Sequence, residues 1–190
     1  MKDIIWFIHV PRTGGRSILF YLKENEKNYQ LYYDRHNKPT KQKYFELKNA
    51  GNLKIITSLR CPVEHTISLY SLSTAGTKHK WHGLASKHSF SEWIRLMPDI
   101  NNYYCNFFSS SDLSAIEGLK MCDYICNTKT LTKDMNDFAK KLNMPSFNFN
   151  TNAFPKPQAT EEDIKYIKKI REKDYELLNL IGFNINPDKI

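Results

Sequence analysis

Apolar residues along this chain are gathered in short runs, and most runs stop at a glycine, a proline or a charged residue. The runs at 4–10 and 53–59 are almost continuously apolar, which is typical of strands buried on both faces of a parallel sheet. Shorter runs at 29–33 and 123–127 predict two further strands. Segments with helical signals separate these runs, so the pattern predicts an α/β domain with a parallel sheet flanked by helices.

Capping residues and prolines mark the predicted helix boundaries. Ser89 and Glu92 have the spacing of a capping box, and Thr160 stands where the last helix begins. The stretch 73–89 has no period and is predicted to be a long loop, as is the proline-bearing stretch 143–158. Helices are predicted at 16–24, 40–50, 62–72, 89–97, 100–108, 112–120, 131–142 and 160–181.

The size and composition of the chain fit one globular domain over residues 1–190. The chain has 190 residues, of which 41% are hydrophobic, enough to build a core. Its 28 basic and 20 acidic side chains give a net charge of +8, which suits an anionic partner. The basic residues are spread along the sequence, which argues against a nucleic-acid partner. The four cysteines form no C-x-x-C pair, so we expect neither a disulfide framework nor a zinc site.

The segment IIWFIHVPRTGGRS at 4–17 contains the most informative change of pattern. A strand that ends in a glycine-rich turn and continues as a helix binds anions, because glycine lets the backbone approach and the helix N-terminus presents N–H donors. Arg12, Thr13, Arg16 and Ser17 add charged and hydroxyl donors. The turn fits neither G-x-x-x-x-G-K-[ST] nor G-x-G-x-x-G, which disfavours ATP, GTP and NAD as ligands.

A second segment, LKIITSLRCPVEHTISLYS at 53–71, has the same form. Arg60 follows the strand, Pro62 opens the next helix, and Ser68 lies two turns further along it. Ligands of open α/β sheets gather at the carboxyl ends of the strands. The two segments together therefore predict a ligand that carries two separate phosphate-like groups.

HVPRTGGRS resembles the H-[IV]-P-K-T-G-G-T-S segment of sulfotransferases that use 3′-phosphoadenosine-5′-phosphosulfate (PAPS), of the heparan sulfate 2-O/6-O and related carbohydrate type. SLRCPVEHTISLY resembles their L-R-D-P-V-E-R-x-x-S-x-Y segment. Weaker similarity continues in the family's order through 101–109 and 115–142 to the terminal helix. The resemblance implies an enzyme that transfers a sulfuryl group from PAPS, without a metal, to a hydroxyl of an oligosaccharide or a small molecule.

The resemblance also implies which residues bind the donor. Arg12 would contact the transferring sulfuryl group and the leaving oxygen of the 5′-phosphate. Arg60 and Ser68 would hold the 3′-phosphate, and Lys156, between two prolines, is a further candidate for that group. The residues implied for the 5′-phosphosulfate are Arg12, Thr13, Gly14, Gly15, Arg16 and Ser17.

Four positions depart from the family pattern. The family lysine is Arg12 here, and an arginine stabilises negative charge but cannot lend a proton. The second threonine of the turn is Arg16, which adds positive charge. The aspartate and the second arginine of the other segment are Cys61 and His65, which leaves the internal hydrogen bonding of that segment open.

The acceptor hydroxyl needs a general base, a role that a histidine, or in some members a glutamate, has in this family. His36 is the only histidine between the two segments, and Asp34 is placed to orient its ring. We predict that His36 is the base, with His9 as the alternative. Trp81 and the basic residues around it in 73–89 fit either an acidic-sugar contact or an ordinary solvated loop.

Two other functions are compatible with the sequence: kinase-like phosphoryl transfer, and non-catalytic binding of a nucleotide or of RNA. The first predicted strand begins at residue 3 or 4, which leaves no space for a signal peptide before it. Because no apolar stretch reaches about 18 residues, a membrane span is not expected either. These features predict a cytoplasmic protein.

Overall fold

The structure is a computed structural model that describes residues 3–34, 36–148 and 154–185. Within these ranges the strands are β1 (Asp3–Ile8), β2 (Gln30–Asp34), β3 (Asn52–Leu59) and β4 (Tyr124–Asn127). They form one sheet in the order β2–β1–β3–β4, and every neighbouring pair is parallel. The predicted α/β class with a parallel sheet is therefore confirmed.

The α-helices of the described residues number one after each of the first two strands, five between β3 and β4, and three after β4. They are α1 (Gly15–Glu24), α2 (Lys41–Ala50), α3 (Pro62–Ala75), α4 (His82–Ala85), α5 (Phe90–Leu96), α6 (Tyr103–Phe108), α7 (Ala115–Lys120), α8 (Leu131–Lys141), α9 (Glu161–Ile170) and α10 (Glu172–Leu180). The chain divides into two compact units, Met1–Arg60 with Asn106–Asn150 and Cys61–Cys105 with Thr151–Ile190.

The first unit contains the sheet, and helices cover both of its faces. On one face, Ile5 and Phe7 of β1 pack in a core with residues of α1 and α8. On the other face, the rings of Trp6 and Tyr32 lie 6.1 Å apart, and Lys43 of α2 is 4.1 Å above the Tyr32 ring. Consecutive residues of β1 are thus buried on opposite faces, which explains its unbroken apolar run.

Hydroxyl groups tie the carboxyl ends of neighbouring strands together. Thr57 Oγ1 donates to the carbonyl of Ile8 at 2.8 Å, which links β3 to β1. Thr128 Oγ1 donates to the carbonyl of Leu59 at 2.8 Å, which links the residue after β4 to the end of β3. These bonds fix the edge of the sheet at which the functional turns begin.

The second unit is helical, and its core is formed by α3, α5 and α9 around Trp93 and Ile167. The capping residues predicted from local sequence are present. Ser89 and Glu92 bond reciprocally at the start of α5, and Thr160 accepts from the backbone N–H of Asp163 at the start of α9. Such signals are readable from sequence because both partners lie within one turn.

Two predicted elements were wrong. The single helix predicted at 160–181 is two helices, α9 and α10, that break at Arg171, whose φ and ψ are −115° and 21°. The long loop predicted at 73–89 contains the last residues of α3 and the whole of α4. Ser73 explains the second error, because its hydroxyl lies 2.8 Å from the Leu69 carbonyl and 3.1 Å from a nitrogen of His79. These polar bonds organise the segment without an apolar period.

Among the described residues, no helix combines the length and apolar character that crossing a membrane requires.

Candidate functional site

The turn between β1 and α1 has a backbone that only a few residue types adopt easily. Gly14, the N-cap of α1, has φ 82° and ψ 3°, a left-handed conformation without cost for glycine. Arg12 is also left-handed, with φ 66°, and an arginine pays about 1–3 kcal/mol there. Gly14 accepts from the N–H of Ser17 at 3.1 Å, which closes the first turn of the helix. The first N–H groups of α1 therefore emerge at the carboxyl edge of the sheet.

Thr13 anchors this turn to the neighbouring strands. Its hydroxyl is fully buried, donates to the Val10 carbonyl at 2.8 Å and lies 2.9 Å from the hydroxyl of Ser58. Since its one proton goes to the carbonyl, it accepts from Ser58. The single proton of Thr128 Oγ1 is shared between the Leu59 carbonyl at 2.8 Å and the Thr13 carbonyl at 3.3 Å. The Thr13 side chain thus holds the turn in place, and its contribution to an anion would come from its backbone.

Three arginines surround the start of α1. Burial, and then the positive charges of Arg60 and Arg16, lower the pKa of Arg12 to about 10, below the usual range for arginine. Arg60 directly follows β3, so its positive charge lies at the carboxyl end of that strand and joins those of Arg12 and Arg16. The first turn of α1 contains no acidic residue. This combination of like charges and helix N–H donors favours an anion in the turn.

His9 and His36, the two candidate bases, lie next to each other. Their ring centroids are 4.8 Å apart. His9 Nδ1 is 3.0 Å from the hydroxyl of Tyr33, and the rings of Phe7 and His9 stack at 5.4 Å. His36 is exposed and left-handed, with φ 60°. The side chain of Asp34, predicted to orient His36, lies outside the described residues.

Left-handed backbone outside glycine is confined, in the described ranges, to four residues: Arg12, His36, Asn102 and Asn143. Asparagine adopts this conformation more readily than most residues, because its short side chain bonds locally. Histidine shares this preference, whereas arginine does not. Of the two residues predicted to be catalytic, Arg12 is therefore the one with an unusual backbone conformation, and strain of this kind concentrates at functional sites.

Gly15 is required by its contact with His9. A Cβ built on Gly15 overlaps Cδ2 and Nε2 of the His9 ring. The ring cannot easily retreat, because it is stacked on Phe7 and bonded to Tyr33. The second glycine of the motif thus allows the strand-end histidine to lie directly against the first residue of α1.

We expect Gly15→Ala to lower the free energy of unfolding by about 1–3 kcal/mol, because the added methyl group must displace the His9 ring. Urea unfolding measures the change. Gly83→Ala is the matched control, since a Cβ there has no atom within 4 Å, and alanine is the better helix former. In a His9→Ala background the cost of Gly15→Ala should shrink; an equal cost in both backgrounds would show that another contact is responsible.

A groove lies along the outer side of α1. It has a volume of about 360 Å³ and is lined by Ser17, Phe20, Tyr21 and Glu24 of the helix and by residues 146–148. The ring of Phe20 is 60% exposed, and Phe147 packs edge-on against Tyr21 at 5.3 Å. Ser17 belongs both to this groove and to the first turn of α1, so the groove begins at the turn between β1 and α1. The exposed face of Phe20, with hydroxyl and amide groups nearby, suits a planar ring ligand.

The residues predicted for the 3′-phosphate fall in both units. Arg60 ends the first unit, whereas Ser68 and Lys156 belong to the second. Ser68 lies on α3 and is 5% exposed, and Lys156 is exposed. Within the first unit, the structure brings together the predicted residues of the turn, Arg60, His9 and His36.

Cys61 and His65, which depart from the family pattern in the segment 53–71, have hydrogen-bond partners inside the second unit. His65 is fully buried, and its Nδ1 lies 2.9 Å from a guanidinium nitrogen of Arg171. Arginine has no acceptor, so Nδ1 accepts and the imidazole is neutral. Cys61 Sγ is 3.8 Å from the hydroxyl of Tyr175. The C-terminal helices thus supply the hydrogen-bond partners at the start of α3.

Sequence analysis missed Ser58, Thr128 and Tyr33. Ser58 and Thr128 fix the turn through Thr13, and Tyr33 bonds the ring of His9. A weak signal existed for the first two, since both are hydroxyl residues at the end of a predicted strand or just after it. No local pattern indicates Tyr33, because its contact depends on the pairing of β1 with β2.

In the ranges that the structure describes, no three or more His, Cys, Asp or Glu side chains are grouped so as to hold a metal ion.

Similarity to known proteins is found only at the level of solved structures. No family model matches the chain, and no curated protein matches its sequence. Among solved structures, the chain is similar to mouse sulfotransferase SULT7A1 complexed with PAP, with 11% sequence identity and a TM-score of 0.43. The match covers 88% of this chain and 64% of that chain, so the present chain spans less than two thirds of the other protein's length.

Proposed function

We propose that this protein is a sulfotransferase that transfers a sulfuryl group from PAPS to a hydroxyl group of an acceptor. The observation that carries the proposal is the grouping of Arg12, Arg16 and Arg60 around the start of α1. This group is formed by the H-V-P-R-T-G-G-R-S and L-R-C-P-V-E-H segments, whose resemblance to PAPS-dependent enzymes predicted it. A carbohydrate acceptor belongs to the same proposal and follows from the resemblance alone.

The residues of the turn fit the 5′-phosphosulfate of the donor. Arg12 is cationic at neutral pH even with its lowered pKa of about 10. The left-handed Gly14 and the side-chain-free Gly15 leave the backbone of the turn accessible. Arg16, Ser17 and the first N–H groups of α1 add donors on the same side. The lowered pKa also supports this fit, since an anion among the three arginines would offset their repulsion.

PAPS supplies an activated sulfuryl group and a leaving phosphate. In the proposed reaction, the acceptor oxygen attacks sulfur, so that a new S–O bond forms while the bond from sulfur to the 5′-phosphate oxygen breaks. Arg12 and the N-terminus of α1 stabilise the negative charge that develops on the leaving oxygen. Such displacements depend mainly on positioning and charge stabilisation.

His36 is proposed to accept the proton of the acceptor hydroxyl. Its exposure leaves it accessible to an incoming acceptor, whereas His9 is packed between Phe7 and Gly15 and bonded to Tyr33. General bases of this kind contribute about 10²–10⁴-fold to a rate. His9 is proposed to have a supporting role, because its ring lies beside the turn that would bind the donor.

The nucleoside of the donor is proposed to lie in the groove beside α1. The groove starts at Ser17, has a volume of about 360 Å³ and presents the exposed ring of Phe20 for stacking. Arg60, Ser68 and Lys156 are proposed to contact the 3′-phosphate, as the resemblance implies. The acceptor is proposed to be an oligosaccharide or a small molecule.

The donor site can be tested by thermal stabilisation with adenosine 3′,5′-bisphosphate (PAP), compared with 5′-ADP, in the absence of metal. At 100 times its Kd, PAP should add about 2.7 kcal/mol of stability, while 5′-ADP should add less because it lacks the 3′-phosphate. Arg60→Ala should abolish the preference for PAP. Lys23→Ala, which removes the same charge at the far end of α1, should retain it.

The outcomes separate the competing functions. A shift with PAP alone, lost in Arg60→Ala, supports the proposed donor and justifies a screen of sugar acceptors. An equal shift with 5′-ADP contradicts the 3′-phosphate site and favours kinase-like phosphoryl transfer. Absence of any shift contradicts the donor altogether and favours a non-catalytic binder, for which affinity for RNA should fall steeply with salt.

A further inference from the structure

We propose that Tyr33 fixes the tautomer of His9, so that His9 presents its Nε2–H to the start of α1 and acts there as a hydrogen-bond donor, not as a base. His9 and Tyr33 both belong to the first unit, and no sequence motif indicates Tyr33. The consequence of the tautomer for catalysis rests on the proposed function, but the tautomer itself does not.

The parallel pairing of β1 and β2 creates the contact. Phe7 is in register with Tyr33, and their rings stack at 5.9 Å with an angle of 16°. His9 lies two residues beyond Phe7, and its ring stacks on the Phe7 ring at 5.4 Å and 19°. The rings of His9 and Tyr33 are tilted by 35°, and the Tyr33 hydroxyl lies 3.0 Å from His9 Nδ1.

The opposite edge of the His9 ring lies against α1. A Cβ on Gly15 would overlap Cδ2 and Nε2 of His9, so these atoms are in contact with the first residue of the helix. Nδ1 is directed to Tyr33 and Nε2 to Gly15. The hydrogen bond at Nδ1 therefore determines whether Nε2 presents a proton or a lone pair to the turn.

The difference in acid strength between the two groups selects the tautomer. A phenol O–H, with a reference pKa of about 10, is a stronger acid than the N–H of a neutral imidazole, and it is therefore the better donor. When Tyr33 donates to Nδ1, the single proton of the neutral ring is on Nε2. That N–H then faces a turn that already collects Arg12, Arg16 and Arg60. A donor suits the anion expected there, whereas a lone pair would repel it.

Tyr33 is thus a positioning residue that acts through His9, and the arrangement leaves His36 as the proton acceptor. The His9 ring is 4.8 Å from that of His36, so an N–H on His9 would hold the sulfuryl end of the donor beside the base. Sequence analysis kept both histidines as candidate bases, and the Tyr33 contact separates their roles.

The test reads the tautomer directly from ¹⁵N shifts and long-range ¹⁵N–¹H couplings of the His9 ring, assigned by its loss in His9→Gln. Wild type should show protonated Nε2 and unprotonated Nδ1. Tyr33→Phe, which removes one hydroxyl, should give a mixture of the two tautomers and weaken PAP binding about tenfold. Tyr32→Phe is the matched control, since that ring lies with Trp6 and Lys43 on the other face of the sheet.

A second comparison identifies the route of the effect. His9→Gln keeps an N–H near the position of Nε2, so Tyr33→Phe in that background should change PAP affinity less than twofold. A proton on Nδ1 in wild type would overturn the inference, and so would a changed tautomer with unchanged PAP affinity. If wild type shows Nε2–H but does not bind PAP, the proposed function fails while the role of Tyr33 in fixing His9 is supported.

Discussion

Replacing Arg12 by alanine is expected to lower the rate of sulfuryl transfer by about 10²–10³-fold, because it removes the donor beside the developing negative charge. The measurement is formation of PAP from PAPS in a single turnover. Arg12→Lys, which restores the residue of the family motif and keeps the charge, should remain within about tenfold of wild type. Lys23→Ala, at the other end of α1, is the control for loss of one positive charge.

The same substitution should keep or raise the stability of the protein without ligand. Burial and the charges of Arg60 and Arg16 disfavour the cation of Arg12 in the folded state, where its pKa falls to about 10, below the usual range for arginine. The unfolded chain therefore binds more protons from about pH 10 up to the ordinary pKa of arginine, and stability rises with pH only in that window. Below pH 10 both states are protonated, so the cost of Arg12 is constant at neutral pH.

These two readouts together distinguish a functional residue from a structural one. Loss of transfer with retained stability indicates that Arg12 is held in an unfavourable environment for its chemistry. A large loss of stability in Arg12→Ala, or transfer at the wild-type rate, would contradict the proposed role. Urea unfolding at pH 7 gives the stability of both variants under the conditions of the transfer assay.

Replacing Arg171 by alanine is expected to lower the free energy of unfolding by about 3–5 kcal/mol, because it leaves the buried charge of Asp174 without its partner. Both side chains are fully buried, and Arg171 Nε donates to Asp174 Oδ2 at 2.7 Å. A second nitrogen of Arg171 donates to the Pro62 carbonyl at 3.0 Å and to His65 at 2.9 Å. The guanidinium also lies 4.7 Å from the centre of the Tyr104 ring.

Two comparisons test this explanation by urea unfolding. Lys80→Ala breaks the ion pair with Asp99, in which both side chains are more than half exposed, and should cost less than about 1 kcal/mol. Arg171→Met combined with Asp174→Asn removes both charges and should be more stable than Arg171→Ala alone. A loss below about 1 kcal/mol in Arg171→Ala would mean that solvent reaches Asp174 in the variant and replaces the lost partner.

Much of the fold was predictable because the relevant interactions are local. The apolar runs of β1 and β3, the glycine turn before α1 and the capping boxes of α5 and α9 all involve residues close together in sequence. The break at Arg171 was not predictable in this way. Arginine is a good helix former, and the partners of Arg171 at the start of α3 are more than 100 residues away in sequence.

From the sequence, the α/β class, a turn suited to an anion and the residue types available for charge stabilisation and proton transfer were predictable. The tertiary structure alone decided which of these residues meet. Parallel pairing of β1 and β2 brings His9, Tyr33 and His36 together, and pairing of β1 with β3 adds Arg60 to Arg12 and Arg16. Strand order and register arise from packing across the whole sheet. The pattern of apolar residues along the sequence shows which faces of a strand are buried, but not which strands lie next to each other.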